Sequence, residues 1–351
     1  MPARPTRRRA LFVGLGIGVS AVAALFYFSQ PSPPTERDFA LALAEQGPAD
    51  EAVAALKRCL EHDPNDPTVL RALVRVLPLN GATLPDVEPY TRQWCQAAPD
   101  DPEAFRTRMK LLQQLKRRGE AIEPAERLLA LTPNDHSTRV ELTMLYLAVG
   151  RHEDAARECR RLLESSPLPR VDLLALLGRV EASRGNSAEA ARVLDEALAV
   201  SPDHPHALLQ RGIVFQQAGD DVQTIAVLRR VRTQSPDEKI IVLHHLGLSL
   251  ARTGQADEAR QTFDEQIRLQ DAIHSRDDAD EHPNDLPVQL RAGRSLLAAG
   301  MPKEAAQQLE AACARLGSTR EMLNLLADCY DRLGSSKLAK TTRDQASRLP
   351  P

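Results

Sequence analysis

The chain has 351 residues, 42% hydrophobic and 26% charged, which is globular composition with length for a large folded body. Only 3% are aromatic and there is one Trp, so the core is expected to be Ala, Leu and Val, which suits close helix–helix packing and poorly suits a β-sandwich or an aromatic base-stacking surface. A net charge of −3 gives no global attraction to nucleic acid or to an anionic membrane.

The N-terminus differs from the rest. A basic tail, residues 1–9, ends in Arg7-Arg8-Arg9 and precedes Ala10–Phe28, which carries no charged residue. Roughly 18–19 apolar residues reach the lower limit for crossing ~30 Å of hydrocarbon. Tyr27 and Phe28 fall at the far interface, and the arginines favour a cytoplasmic N-terminus. The expectation is one transmembrane helix over 10–28, with everything after it exoplasmic, or periplasmic in a Gram-negative-type cell. The alternative is a signal peptide cleaved at the small residues Ala21-Val22-Ala23, giving a secreted protein. No Cys follows the segment, which excludes a lipoprotein anchor. Residues 29–34, with Pro31-Ser32-Pro33-Pro34, form a stiff linker.

The remainder repeats. Gly178, Ala190, Ala197 and Pro202 recur as Gly212, Thr224, Val231 and Pro236, a shift of 34 residues. Val171–Ser183 places Leu174, Leu177 and Val180 on one helical stripe. Gly178 sits inside that helix, where Gly is unfavourable by roughly 1 kcal/mol against Ala, so a neighbouring helix is expected to approach closely there. Arg184-Gly185-Asn186 breaks the helix, with Asn186 expected to cap the next one and Glu189 in the capping-box position. A second helix carries Ala190, Leu194, Ala197 and Leu198 and stops at Ser201-Pro202.

The same register lays down nine copies: 33–66, 67–101, 102–135, 136–169, 171–204, 205–238, 240–273, 286–319 and 320–351. The second is crowded by Pro78, Pro85 and Pro89. In the third, Gly119 is displaced three residues toward the second helix. Residues 274–285 form a polar insertion, expected as a projecting loop or as an extension of the preceding helix. The last copy ends at Pro350-Pro351 without an extra polar capping helix, so that end is expected to be shielded by a partner or by self-association.

The pattern of large residue, Gly or Ala, aromatic, turn Gly, Ala, large residue, Ala and Pro resembles the tetratricopeptide repeat family over residues 33–351. The family's Trp near the repeat start is absent. The resemblance implies an all-α, right-handed solenoid of helix-turn-helix repeats, whose first helices line a groove that binds a protein or peptide. It also implies that positions 2, 5, 9 and 12 of each first helix face that groove. At those positions stand Arg71 and Arg75, Arg106 and Lys110, Arg179 and Arg294, a basic stripe suited to an acidic or carboxylate-bearing peptide.

Catalytic constellations are absent from the sequence: there is no Gly-rich phosphate loop, nucleophile elbow or paired-His zinc helix. His244 and His245 are adjacent and face different directions. His274, Asp277, Asp278, Asp280, Glu281 and His282 lack the spacing of a calcium loop. Cys59, Cys95, Cys159, Cys313 and Cys329 have no metal or redox spacing; Cys59 and Cys159 occupy core positions, and Cys313 and Cys329 lie on consecutive helices. The expected function is a membrane-anchored, non-catalytic interaction scaffold with no cofactor, no metal and no nucleic-acid partner. The alternatives are an assembly or regulatory subunit of an envelope enzyme, or a secreted repeat protein.

Overall fold

The structure, a computed structural model, describes residues 35–350. The expected transmembrane segment 10–28, the tail before it and most of the linker lie outside the described residues. Among the described residues no helix is long and apolar enough to cross a membrane.

Eighteen α-helices and no strand are found among the described residues. They are α1 (Glu36–Gln46), α2 (Ala49–His62), α3 (Pro67–Val76), α4 (Leu84–Ala97), α5 (Pro102–Gln114), α6 (Ile122–Leu131), α7 (His136–Ala148), α8 (His152–Ser165) and α9 (Arg170–Ser183). There follow α10 (Ser187–Val200), α11 (Pro205–Gln217), α12 (Asp221–Leu228), α13 (Pro236–Arg252), α14 (Ala256–Glu281), α15 (Leu286–Ala298), α16 (Pro302–Leu316), α17 (Arg320–Arg332) and α18 (Ser336–Ser347). Taken in order, they form nine successive helix pairs. The chain divides into two compact units, residues 1–138 and 139–351.

Most first helices start on a side-chain cap or an early proline, α9 after Pro169 being an exception. Asp66 accepts from the amides of Thr68 (2.9 Å) and Val69 (3.2 Å) while Pro67 fills the first turn. Asp101 and Pro102 repeat the device, and Ser235 with Pro236 varies it. Seven of the hairpins then turn through a left-handed glycine: Gly81, Gly150, Gly185, Gly219, Gly254, Gly300 and Gly334 all have φ between 74° and 82°, whereas the first turns at Gly47 with extended backbone (φ −95°). In the third copy the chain makes this turn at Lys116 (φ 60°), not at Gly119. The backbone keeps its register because the flanking helices dictate where it reverses, although Lys bears a Cβ penalty of about 1 kcal/mol there. Lys116→Gly is therefore expected to raise the midpoint of urea unfolding, a gain of about 0.5–1 kcal/mol; a lower midpoint would show that the turn is not strained.

The glycine within the first helix has a different cause. A Cβ on Gly178 would lie 2.4 Å from Leu194 Cγ, on Gly212 2.5 Å from Leu228 Cδ2, on Gly247 2.7 Å from Phe263 Cε1 and on Gly293 2.8 Å from Leu309 Cδ2. The close approach expected at Gly178 thus recurs in four copies. The buried side chains of the two cores are mainly Ala, Leu and Val: Ala40, Leu56, Leu70 and Leu73 in the first unit, Leu194, Leu208, Leu250 and Leu296 in the second. Trp94, in α4, belongs to the first unit's core.

Several local expectations are corrected. Asn186 precedes α10, yet its side chain makes no cap bond; its amide donates to Glu181 Oε2 at 2.8 Å, and Glu189 takes Arg192 instead. The second helix of the sixth copy is short and ends at Leu228, where the Arg232 guanidinium captures the carbonyls of Arg229 and Val231. Of the two readings of the polar insertion, extension of the preceding helix is the one found: α14 runs 26 residues, to Glu281. Leu269, Ala272 and Ala279 continue its buried stripe, and Gln289 donates to the carbonyls of Ala279 (2.7 Å) and His282 (3.2 Å). On α18, Leu338 is the one large apolar side chain exposed; Lys337, Lys340, Thr341, Asp344 and Gln345 make the rest of its outward face polar.

Candidate peptide-binding cleft

In the first unit, Arg71 and Arg75 stand one turn apart on exposed positions of α3, and Arg75 Nη2 donates to Ala44 O at 3.2 Å. One copy further, Lys110 is exposed on α5 and Arg106 pairs with Asp135 at 3.0 Å. Burial opposes ionisation of Asp135, but the amide and hydroxyl of Thr138 and the Arg106 guanidinium outweigh it, and the carboxyl falls below its usual range. Arg106 is thereby neutralised.

In the second unit, Arg294 is held by Glu321, whereas Arg179 has no carboxylate partner among the described residues. It lies instead in a cleft floored by four first helices. Val140 and Met144 come from α7, Ala175 and Leu176 from α9, His206, Leu209, Gln210 and Ile213 from α11, and Glu238 and Ile241 from α13. Two adjoining hollows of 360 and 470 Å³ share Met144, Arg179, His206 and Gln210. Arg179 reaches solvent, yet burial pushes its pKa below the ordinary guanidinium value, and its nearest polar contact is Met144 Sδ at 3.6 Å. Met144 is 36% exposed and Ile241 42%, so the cleft presents apolar surface beside an unneutralised cation. At its rim His206 Nδ1 lies 2.7 Å from Glu238 Oε1, and His204 Nε2 2.8 Å from Asp172 Oδ1.

Reading charges alone missed most of this site. Met144 and Ile213 stand 35 residues before and 34 after Arg179, at the same helical register, so the repeat itself marked them. What looks like a basic position along the chain becomes a mixed apolar and cationic surface.

Buried carboxylates were also missed. Glu181, 2% exposed, accepts from Arg160, Arg184 and Asn186; Glu158, 6% exposed, accepts from Arg139 and Arg161. The Glu181 cluster joins the fourth copy to the fifth, while the Glu158 cluster ties the two helices of the fourth. The five cysteines are free, Cys313 and Cys329 included. Burial pushes Cys95 and Cys159 up to about 12 and Cys329 to about 11, which keeps them as unreactive thiols at neutral pH. Among the described residues no group of three His, Cys, Asp or Glu is placed to hold a metal ion, and Asp278 of the insertion instead pairs with Arg291 at 2.6 Å.

Successive helix pairs, with a cleft in the second unit floored by four first helices, define a helical-repeat protein. Tetratricopeptide repeat models match residues 141–191, 175–239 and 290–339, a further one residues 36–76 and a third residues 241–265. Together they span more than half of the chain, which is a tetratricopeptide repeat protein. No curated protein sequence matches it.

Among solved structures, the chain is similar to YrrB, described as a tetratricopeptide repeat protein with an unusual peptide-binding site, at 21% identity over 49% of this chain and 88% of that one, TM-score 0.41. It is similar to a tetratricopeptide repeat protein from Parabacteroides merdae at 14% identity, covering 84% of this chain and 97% of that one, TM-score 0.44. The Cut9–Hcn1 hetero-tetramer of the APC/C gives 16% identity, 93% of this chain, 59% of that one and TM-score 0.45.

Proposed function

We propose that this protein is a non-catalytic interaction scaffold that binds an acidic peptide segment of a partner protein in the cleft of its second unit. One observation carries the reading: Arg179 forms no ion pair in a cleft where it stands beside the apolar side chains of Met144, Leu176, Ile213 and Ile241, whereas most described arginines have an acid partner. A peptide carboxylate supplies the missing charge through a charge-assisted hydrogen bond, and its apolar neighbours fill the space over Met144, Ile213 and Ile241. The exposed cations Arg71, Arg75 and Lys110, with Arg106 and Arg294 when their acids are displaced, extend the reading to further contacts. Membership of the tetratricopeptide repeat family supports a protein-binding role.

We further propose that residues 10–28 hold the chain in a membrane with the repeats on the exoplasmic side, where anchoring raises local concentration and lets weak contacts act together. A role as an assembly or regulatory subunit of an envelope enzyme is compatible with the same cleft.

Capture of partners from membrane extract by the full chain tests both statements. The chain is expected to stay with membranes through carbonate washing. Arg179→Glu should reduce the captured partner at least tenfold, by loss of the ion pair and added repulsion. Equal capture by Arg179→Glu, with loss in Arg75→Glu and Arg106→Glu, would move the contact to the first unit. Release by carbonate would remove the anchor.

A further inference from the structure

The first unit contains a second hollow with its own chemistry. It measures 570 Å³, within the ~300–1,000 Å³ range of small-molecule sites, and is lined by Leu41 and Glu45 of α1, Arg71, Val74 and Arg75 of α3, Trp94 of α4, and Glu103 and Thr107 of α5. Its lining is unusual for its charges. Arg71, Arg75, Glu45 and Glu103 all face one hollow, yet none forms an ion pair with another or with any described residue; Arg75 reaches only the carbonyl of Ala44. Most other arginines of this unit behave differently: Arg37 takes Asp66, Arg92 and Arg108 take Glu88, Arg106 takes Asp135 and Arg117 takes Glu120, while Arg127 stacks over Phe105. Two cations and two carboxylates are held around one space without collapsing onto each other. Leu41, Ala72 and Val74 add an apolar wall, and Trp94, 2% exposed, closes it from the second-helix side.

We propose that this hollow binds a small zwitterion of the amino-acid class with an apolar side chain. The carboxylate is held by Arg71 and Arg75, the ammonium by Glu45 and Glu103, and the side chain rests on the apolar wall. A purely anionic ligand would meet two uncompensated carboxylates, and a purely cationic one two guanidinium groups; only a ligand with both charges satisfies all four. The inference does not depend on the peptide cleft of the second unit.

Trp94 is the chain's single tryptophan and lines the hollow, so its fluorescence reports on occupancy directly. The full chain is titrated with L-leucine, with N-acetyl-L-leucine (carboxylate only) and with L-leucinamide (ammonium only). L-Leucine is expected to give a saturable change, and each singly charged analogue to bind at least tenfold more weakly. Arg71→Gln with Arg75→Gln, and separately Glu45→Gln with Glu103→Gln, should each weaken L-leucine at least tenfold. All four positions are exposed, and unchanged helical circular dichroism checks that the variants fold. Arg179→Glu should leave the titration as it is. Absence of a saturable change with L-leucine, equal binding of either analogue, or insensitivity to both double variants would overturn the proposal.

Discussion

Replacing Gly178 by Leu is expected to destabilise the second unit by about 3 kcal/mol, the upper part of the usual range for overpacking. The Cβ alone would stand 2.4 Å from Leu194 Cγ and 2.6 Å from its Cδ2. Leu194 is fully buried in a core with Ala190, Val193 and Ala197, so its side chain has nowhere to withdraw. Substituting Gly inside a helix restores roughly 1 kcal/mol of helical propensity, which offsets only part of the clash. Leu194→Ala alone should lose about 2–5 kcal/mol through the cavity it leaves. The double variant should be more stable than the sum of the two losses implies, because each change makes room for the other. Urea unfolding, with hydrogen exchange across α9 and α10, reads all three. A Gly178→Leu midpoint indistinguishable from that of the parent chain would sink the close-approach argument.

Glu181→Ala should cost about 3 kcal/mol, with the loss concentrated where the fourth copy meets the fifth. One carboxylate, 2% exposed, accepts from Arg160 at 3.2 Å, from Arg184 Nη1 at 2.9 and 2.7 Å, and from Asn186 at 2.8 Å. Arg184 also holds Glu153 on α8, so the cluster ties α8, α9 and the turn into α10. Removing the acid leaves Arg184, itself only 18% exposed, with less than its charge requires. Arg160 is 56% exposed and returns to water with little penalty, which places the effect at the lower end of the buried-pair range. Glu181→Gln keeps one oxygen for Asn186 and should lose about half as much. Hydrogen exchange that accelerates uniformly along the second unit, rather than at α8 and α9, would show that the carboxylate does not join these copies.

The fold was legible in the chain because each hairpin is specified within a few residues. Asp66-Pro67 and Asp101-Pro102 announce first helices, Gly150 and Gly185 announce turns, and Gly178 announces a close neighbour. Expectations failed where one signal had two competing uses. Asn186 has the chemistry of a cap, but a buried carboxylate five residues back is a stronger acceptor for its amide. The segment after Ile273 left a loop and an extension of the preceding helix both open, and Ala272 and Ala279, seven residues apart, decide for the helix. At Lys116 the tertiary arrangement overrode residue preference altogether.

By itself the sequence determined the repeat length, the nine hairpins and the Ala, Leu and Val core. These follow from contacts between residues within a single copy or its immediate neighbour, where periodicity and turn chemistry suffice. Only the tertiary structure decided which of the six basic positions keep an uncompensated charge. Arg106 has its charge compensated by Asp135, 29 residues on, and Arg294 by Glu321, 27 residues on, while Arg179 meets only Met144, 35 residues back. Neutralisation depends on which side chain the next helix happens to present across a few ångströms, and repeat register alone does not specify that.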